Sequence, residues 1–376
     1  MKLKQFIQQE TVLTAAAVLA VVSAFFVPPD AQYLGYIDLR TLAILFSLMT
    51  VMAGLRRQGF FDGPGRALLS RTHSTFQLTL VLVGLCFFGS MFITNDVSLL
   101  TFVPFTFVVL SRLGADVRRS LLIPVVCMQT IAANLGSMLT PIGNPQNLYL
   151  YGKSGMSIGG FVLLMLPYTL VSLLLLLAWA ALVCRKASAA LSVDELVSSS
   201  ASQGDQKIIL LYLVLFAVCL LSVIRVLPYG IAFAAVLVCV LFADPHTLRA
   251  VDYSLLLTFV AFFIFIGNLG RIPAFSGWLQ EFLTGREVLV AVLASQVTSN
   301  VPAALLLSGF TAETQALIIG TNLGGLGTLI ASMASLISYR QIARELPQGK
   351  KQYFGLFTLS NLIFLAILLG VWYLLR

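Results

Sequence analysis

The sequence has little that titrates and almost nothing that binds a metal. Only 10% of its 376 residues are charged, against roughly a quarter in soluble domains. It has two histidines, His73 and His246, both read here as loop residues. Metal-centred or histidine-based catalysis has almost nothing to work with. The five cysteines (Cys86, Cys127, Cys184, Cys219 and Cys239) lie in or beside apolar runs, without CxxC spacing or a nearby histidine. They read as small apolar side chains rather than a disulfide framework or metal site. No GxxxxGK[ST] phosphate loop occurs, so an ion gradient is the expected energy source unless a separate ATPase joins. An intramembrane enzyme would need a nucleophile–base pair or a metal cluster at depth. Neither is in view, so no enzymatic activity and no cofactor are expected.

What is present is hydrophobicity. The chain is 59% hydrophobic, with a mean hydropathy of +0.96. Val12–Val27, Phe161–Val183, Ile208–Leu227 and Phe354–Leu375 are long enough to cross about 30 Å of hydrocarbon as helices. The first run ends in FVPPDAQ, without a small-residue cleavage pattern, and reads as a span rather than a signal peptide. The net charge of +8 does not point to nucleic acid. The basic residues sit in short loops between apolar runs, as the positive-inside rule produces. The expected partners are the lipid bilayer and a small ion.

Spans are expected near 11–28 and 39–55, then an amphipathic surface helix over 56–74. The segment 75–110 is apolar but interrupted at Thr94–Asp96. A span near 118–152 is broken by NLGSMLTPIGNPQN, and another follows near 159–183. After the polar stretch from Arg185 to Lys207, spans are expected near 207–227, 229–243 and 253–270. A second interfacial helix over 271–286 precedes an apolar segment, 287–310, interrupted at Thr298–Asn300. The span 312–338 carries NLGGLGTLIASMAS, and 353–375 closes the series.

If 75–110 and 287–310 each enter and leave on one side, there are nine full crossings and two re-entrant hairpins. All lysines and arginines except Arg40, Lys153, Arg225, Arg271, Arg286 and Arg376 then fall on the cytoplasmic side, with the N-terminus inside and the C-terminus outside. The hairpins enter from opposite faces. Asn134–Tyr151 and Asn322–Tyr339 align at a constant offset of 188 with seven identities in 18 positions. The expected fold is an all-α polytopic membrane protein, an inverted-topology repeat with two re-entrant hairpins and two broken transmembrane helices. Its first repeat is residues 1–186, its linker and connecting span 187–228, and its second repeat 229–376.

Broken backbone at membrane depth is tolerated where it is buried in protein or lines a wet cavity. Carbonyl ends suit Na⁺, N–H ends suit anions, and neutral Asn, Ser and Thr accommodate either. The candidate substrate-binding residues are Thr94, Asn95, Asn134, Thr140, Asn144 and Asn147. From the second half they are Thr298, Ser299, Asn300, Asn322 and Thr328. Asp96 is the one acid expected at a membrane midpoint, where an ionisable group is a functional hypothesis by default. It reads as a cation or proton site, with capping of the following helix as the structural alternative. Asn95 and Asn300 join it in cation or proton coupling, with Gly136, Pro141, Gly143, Pro145, Gly324 and Gly325 holding the unwound backbone. The second tip has Val301 where the first has Asp96. Arg225, near a span end, is expected to snorkel.

At these motifs the chain resembles the ion-transporter superfamily of arsenite efflux pumps, citrate–metal symporters, one class of bacterial Na⁺/H⁺ antiporters and dicarboxylate/sodium symporters. TND, N-x-G-x-x-x-TPIGNPQN and SNVP look most like the compact YbiR-type bacterial anion permeases. In the dicarboxylate/sodium family, a Ser-Asn-Thr motif at each tip contacts substrate and helps build a Na⁺ site. Thr94, Asn95 and Asp96, and Ser299, Asn300 and Val301, stand at those positions. Asp96 and Val301 depart from that pattern, and an Asp at the first tip looks more like the arsenite-pump or antiporter branches. The resemblance implies a secondary transporter of a small anion or oxyanion, an organic di- or tricarboxylate or an inorganic one, coupled to Na⁺ or H⁺. It also implies elevator-like motion, often a homodimer, and a bacterial inner membrane. The alternative is a Na⁺/H⁺ antiporter with its cation on Asp96.

Overall fold

Side-chain caps set where several of the helices begin. The computed structural model describes residues 10–61, 63, 67–68, 72–113, 115–185 and 204–376. In the first half the helices are α1 (Thr11–Phe26), α2 (Gln32–Tyr36), α3 (Leu39–Arg57), α4 (Thr75–Ile93) and α5 (Asn95–Ser111). There follow α6 (Ala115–Ser137), α7 (Pro145–Ser154) and α8 (Ile158–Cys184). The Asp38 carboxylate accepts the Thr41 N–H to start α3, and the Ser74 hydroxyl accepts the Gln77 N–H to start α4. Asn144 caps α7, with Pro145 at the first helical position, where a missing N–H costs nothing.

The second half holds α9 (Gln206–Val223), α10 (Tyr229–Ala243), α11 (Tyr253–Gly270) and α12 (Pro273–Leu283). The remainder is α13 (Glu287–Thr298), α14 (Asn300–Leu307), α15 (Thr314–Leu323), α16 (Met333–Glu345) and α17 (Lys350–Leu375). No strand occurs among the described residues. Among the described residues, seven helices are long and apolar enough to cross a bilayer. Their outward faces carry large apolar side chains, among them Phe88, Leu174, Leu210 and Leu374. In water such a surface would be an aggregation hazard; in lipid it is solvated. The protein is an all-α polytopic membrane protein.

Burial divides the helices by role. Nearly all of the apolar stretch of α6 is buried, whereas much of α9 is exposed. Helix α6 packs against α4, α5, α8, α16 and α17. Its approach to α4 requires Gly136, since a Cβ there would sit 2.0 Å from the Phe87 carbonyl oxygen. Away from this centre, α3 packs on α9 and α10, and α1 packs on α11. Arg57 pairs with Asp244 at 3.1 Å, and Tyr212 and Thr247 donate to the same carboxylate.

Three details differ from the sequence reading or lie beyond the description. Arg56 and Arg57 belong to the last turn of α3 rather than to a surface helix; much of the expected surface segment 56–74 and of the linker (186–203) lies outside the described residues. Helix α16 continues to Glu345, past the expected end at 338. Arg225 does not snorkel freely: it donates to the Tyr151 and Gly152 carbonyls at 3.3 and 3.2 Å and lies over the Tyr151 ring.

Candidate functional site

The two interrupted helix pairs break in the same way. Thr94 alone separates α4 from α5, and Ser299 alone separates α13 from α14. Thr94 has φ 69° and ψ 154°, and Ser299 has φ 77° and ψ 156°. Left-handed φ at a non-glycine residue costs about 1–3 kcal/mol and persists only where the surroundings enforce it. They do so identically. The Asn95 N–H donates to the Gly143 carbonyl at 3.0 Å, and the Asn300 N–H donates to the Ala331 carbonyl at 2.9 Å. Gly143 and Ala331 stand at the same offset as Asn134 and Asn322.

The threonines repeat the correspondence. The Thr140 hydroxyl donates to the Met91 carbonyl at 2.5 Å, and the Thr328 hydroxyl to the Gln296 carbonyl at 3.1 Å. These two brace the breaks against the ends of α4 and α13, and Thr328 is exposed. Thr298 is also exposed and bonds back to the Ala294 carbonyl of its own helix. None of the three joins the amide cluster.

That cluster is a reciprocal crossing. Asn134, at the end of α6, donates to the Ser335 hydroxyl at 3.4 Å and accepts from the Ser332 hydroxyl at 2.9 Å. Asn322, at the end of α15, donates to Asn147 Oδ1 at 2.6 Å and accepts from Asn144 Nδ2 at 3.1 Å. Each asparagine thus reaches the start of the half-helix in the opposite half. Asn95 Nδ2 adds a bond to Asn134 Oδ1 at 3.2 Å, which joins the first tip to the crossing. All these side chains are buried.

The carbonyls freed by the breaks are occupied, by different residues in the two halves. Asn147 Nδ2 donates to the Ser137, Met138 and Thr140 carbonyls at 3.2–3.5 Å. In the second half Gln296 Nε2 donates to the Gly324 and Leu326 carbonyls, and Gln296 Oε1 accepts the Thr328 N–H. Gln296 escaped the sequence reading; its only signal is a polar residue three positions before the tip at Ser299. Pro141 is buried in the first break, where a Cβ on Gly143 would lie 2.0 Å from the Ser137 carbonyl oxygen. In the second, Gly324 packs on Ser295 and Gly325 on Asn300.

Asp96 is the exception to this saturation. Thr94, not Asp96, caps α5, with its hydroxyl accepting the Val97 N–H. Asn95 Oδ1 accepts the Asp96 N–H at 2.9 Å. Asp96 Oδ1 is buried and has no hydrogen-bond partner. Asp96 as a whole is half-buried, and a buried carboxylate oxygen without a hydrogen-bond partner is costly unless a cation or a proton attends it. At the second tip, Val301 and Pro302 border a cavity of about 120 Å³ that also meets Asp252, Arg340 and Glu10. The two tips share a backbone and differ in charge.

Comparison with known sequences places the chain among membrane transporters. The family description "Citrate transporter" matches residues 6–316. The inner membrane protein YbiR of Escherichia coli is 32% identical over 324 residues, covering 84% of each chain. An uncharacterized transporter of Methanocaldococcus jannaschii is 31% identical over 304 residues, covering 81% of each chain. A silicon efflux transporter of Oryza sativa subsp. japonica is 31% identical over 137 residues, 36% of this chain and 27% of that protein.

Proposed function

This chain belongs to the citrate transporter family, and on that premise we propose that it is a secondary active transporter of a small anion or oxyanion, coupled to Na⁺ or H⁺. That it is a membrane transporter rather than an enzyme follows from the family and its relatives. The observation that carries the finer reading is the orphaned Asp96 Oδ1 beside the crossing of two broken helices. Asp96 takes the coupling cation or proton. The N-termini of α5, α7, α14 and α16 meet around the crossing, and their N–H ends favour an anion. Asn95, Asn134, Asn144, Asn147, Ser299, Asn300 and Asn322 offer neutral donors to it.

The paired contacts at Gly143 and Ala331, and at Thr140 and Thr328, support an inverted repeat, 1–186 and 229–376, with two re-entrant hairpins. The resemblance adds elevator-type alternating access, a homodimer, and an inner-membrane setting with the N-terminus inside. The second reading, a Na⁺/H⁺ antiporter, is favoured by the same oxygen, since a cation alone would satisfy it.

A thermal-shift screen of purified protein against Na⁺, Li⁺, citrate, succinate, sulfate, phosphate and arsenite across pH tests the proposal, since a ligand of the native state raises the unfolding midpoint. At least one anion should do so. A response to Na⁺ or Li⁺ with none to any anion would replace it with the antiporter.

A further inference from the structure

Three basic residues that the charge bias leaves outside the cytoplasm converge on one mouth. A cavity of about 180 Å³ is lined by Arg40 and Lys153, together with Asp38, Thr41, Tyr151 and Gly152. An adjoining cavity shares Arg40 and adds Arg225. No carboxylate lies within 4.0 Å of any of the three cations among the described residues. Asp38 accepts the Thr41 N–H at 3.0 Å and the Thr41 hydroxyl at 2.5 Å and keeps its negative charge, so it offsets one of the three cations and leaves a positive surplus at the mouth.

The fold accounts for these charges only in part: Lys153 lies in the last turn of α7, where a cation complements the helix dipole, and Arg225 caps the carbonyls there. Arg40 is the second residue of α3, where a cation opposes the helix dipole. Lys153 Nζ donates to the Ser308 carbonyl, which needs no full charge. Arg225 has a φ of 67°, a conformation an arginine adopts at a cost, and is held there by the Tyr151 and Gly152 carbonyls. All three sit around the C-terminal end of α7, whose N-terminus carries Asn144 and Asn147 of the crossing. From Asn147 to Gly152 the helix rises only about 8 Å. The corresponding cavity beside Val301 has Glu10 and Asp252 against Arg340 alone, so a surplus of positive charge belongs to one mouth only.

We propose that Arg40, Lys153 and Arg225 form an anion-capture vestibule that holds a small oxyanion or carboxylate before it reaches the crossing. The inference rests on the anion-transport reading but is tested without transport. The cavity holds the volume of about six liquid waters, enough for a small oxyanion. Electrostatic capture at such a mouth raises the local concentration of a substrate and falls off with salt.

The test is Gly152→Cys in the full chain in nanodiscs. A Cβ there meets nothing closer than Thr41 Oγ1 at 3.8 Å. Its labelling rates with anionic sulfonatoethyl and cationic trimethylammonioethyl methanethiosulfonate are compared, with the Gly152 protein as background. The anionic reagent should react faster. Adding Lys153→Gln or Arg40→Gln should lower the anionic-to-cationic ratio by about 25-fold, since one unit charge a few ångströms away in water changes each reagent's rate by about fivefold in opposite directions. Lys153→Arg should restore it. Inorganic phosphate should slow anionic labelling in both zwitterionic and phosphatidylglycerol nanodiscs, and not in the Arg40→Gln/Lys153→Gln variant. A ratio near one that no variant changes would overturn the proposal. So would protection by phosphatidylglycerol with no effect of phosphate, which would make the site a lipid headgroup contact. A protein that transports no anion yet shows the ratio loses the transport reading and keeps this one.

Discussion

Asn322 donates to Asn147 Oδ1 at 2.6 Å across 175 positions of sequence. The bond joins the end of α15 to the first turn of α7, and Asn134 with Ser335 makes its counterpart in the opposite direction. Two helix breaks that would each leave polar groups stranded in an apolar interior satisfy one another. Removing one partner leaves the other buried and unpaired, at about 1–3 kcal/mol. Asn322→Ala and Asn147→Ala should each lower stability by that order. The double variant should cost less than their sum, because contacting residues couple. Denaturant or thermal unfolding of the four proteins measures this; strict additivity would mean the crossing carries no shared energy.

Gln296→Met is the sharper test of how the breaks are held. Met91 is the equivalent residue in the first half and is buried beside its break. Methionine therefore suits the position but cannot bond the Gly324 and Leu326 carbonyls or the Thr328 N–H. The variant should lose about 1–3 kcal/mol for each of the part-buried Gly324 and Leu326 carbonyls it strands, while the exposed Thr328 N–H can turn to water. An unchanged unfolding midpoint would show that another group replaces the amide.

Much of this was legible in the sequence, and what was not has a physical reason. The interruptions at Thr94 and Ser299, and the two broken spans, stand out because polar residues and prolines are conspicuous in apolar runs. Asp96 stands out for the same reason. The pairing was not legible. Nothing in the spacing says that Asn134 meets Ser332 and Ser335 while Asn322 meets Asn144 and Asn147, because pairs so far apart in sequence are set by tertiary packing. The role of Gln296 was hidden because its partners are backbone groups, identical at every residue. Arg225 was read only as a snorkelling side chain; the α7 carbonyls and the Tyr151 ring it meets are set by tertiary packing that its sequence position does not show.

Close packing gives a third prediction. Gly136→Ala places a Cβ 2.0 Å from backbone at Phe87, which cannot move aside as a flexible side chain would. It should destabilise by at least about 1–3 kcal/mol, the range of overpacked cores. Gly370→Ala, where nothing lies within 4 Å, should be neutral or stabilise by up to about 1 kcal/mol, since alanine favours a helix interior. Folded yield and unfolding midpoint of both variants check the contrast.

Asp96→Asn keeps the shape of the side chain and removes its charge. Because Asp96 Oδ1 has no partner to lose, the variant should unfold at or above the wild-type midpoint. It should also lose any stabilisation by Na⁺ or Li⁺. A variant that still shifts with either cation would place the cation elsewhere.

Transport itself decides the central claim. In proteoliposomes loaded and diluted to impose a Na⁺ or pH gradient, the wild-type chain should accumulate the anion identified by the thermal-shift screen, and gradient collapse should abolish accumulation. Asp96→Asn should bind that anion without accumulating it. Proton–cation exchange that proceeds with no anion present, or anion accumulation that survives Asp96→Asn, would contradict the account.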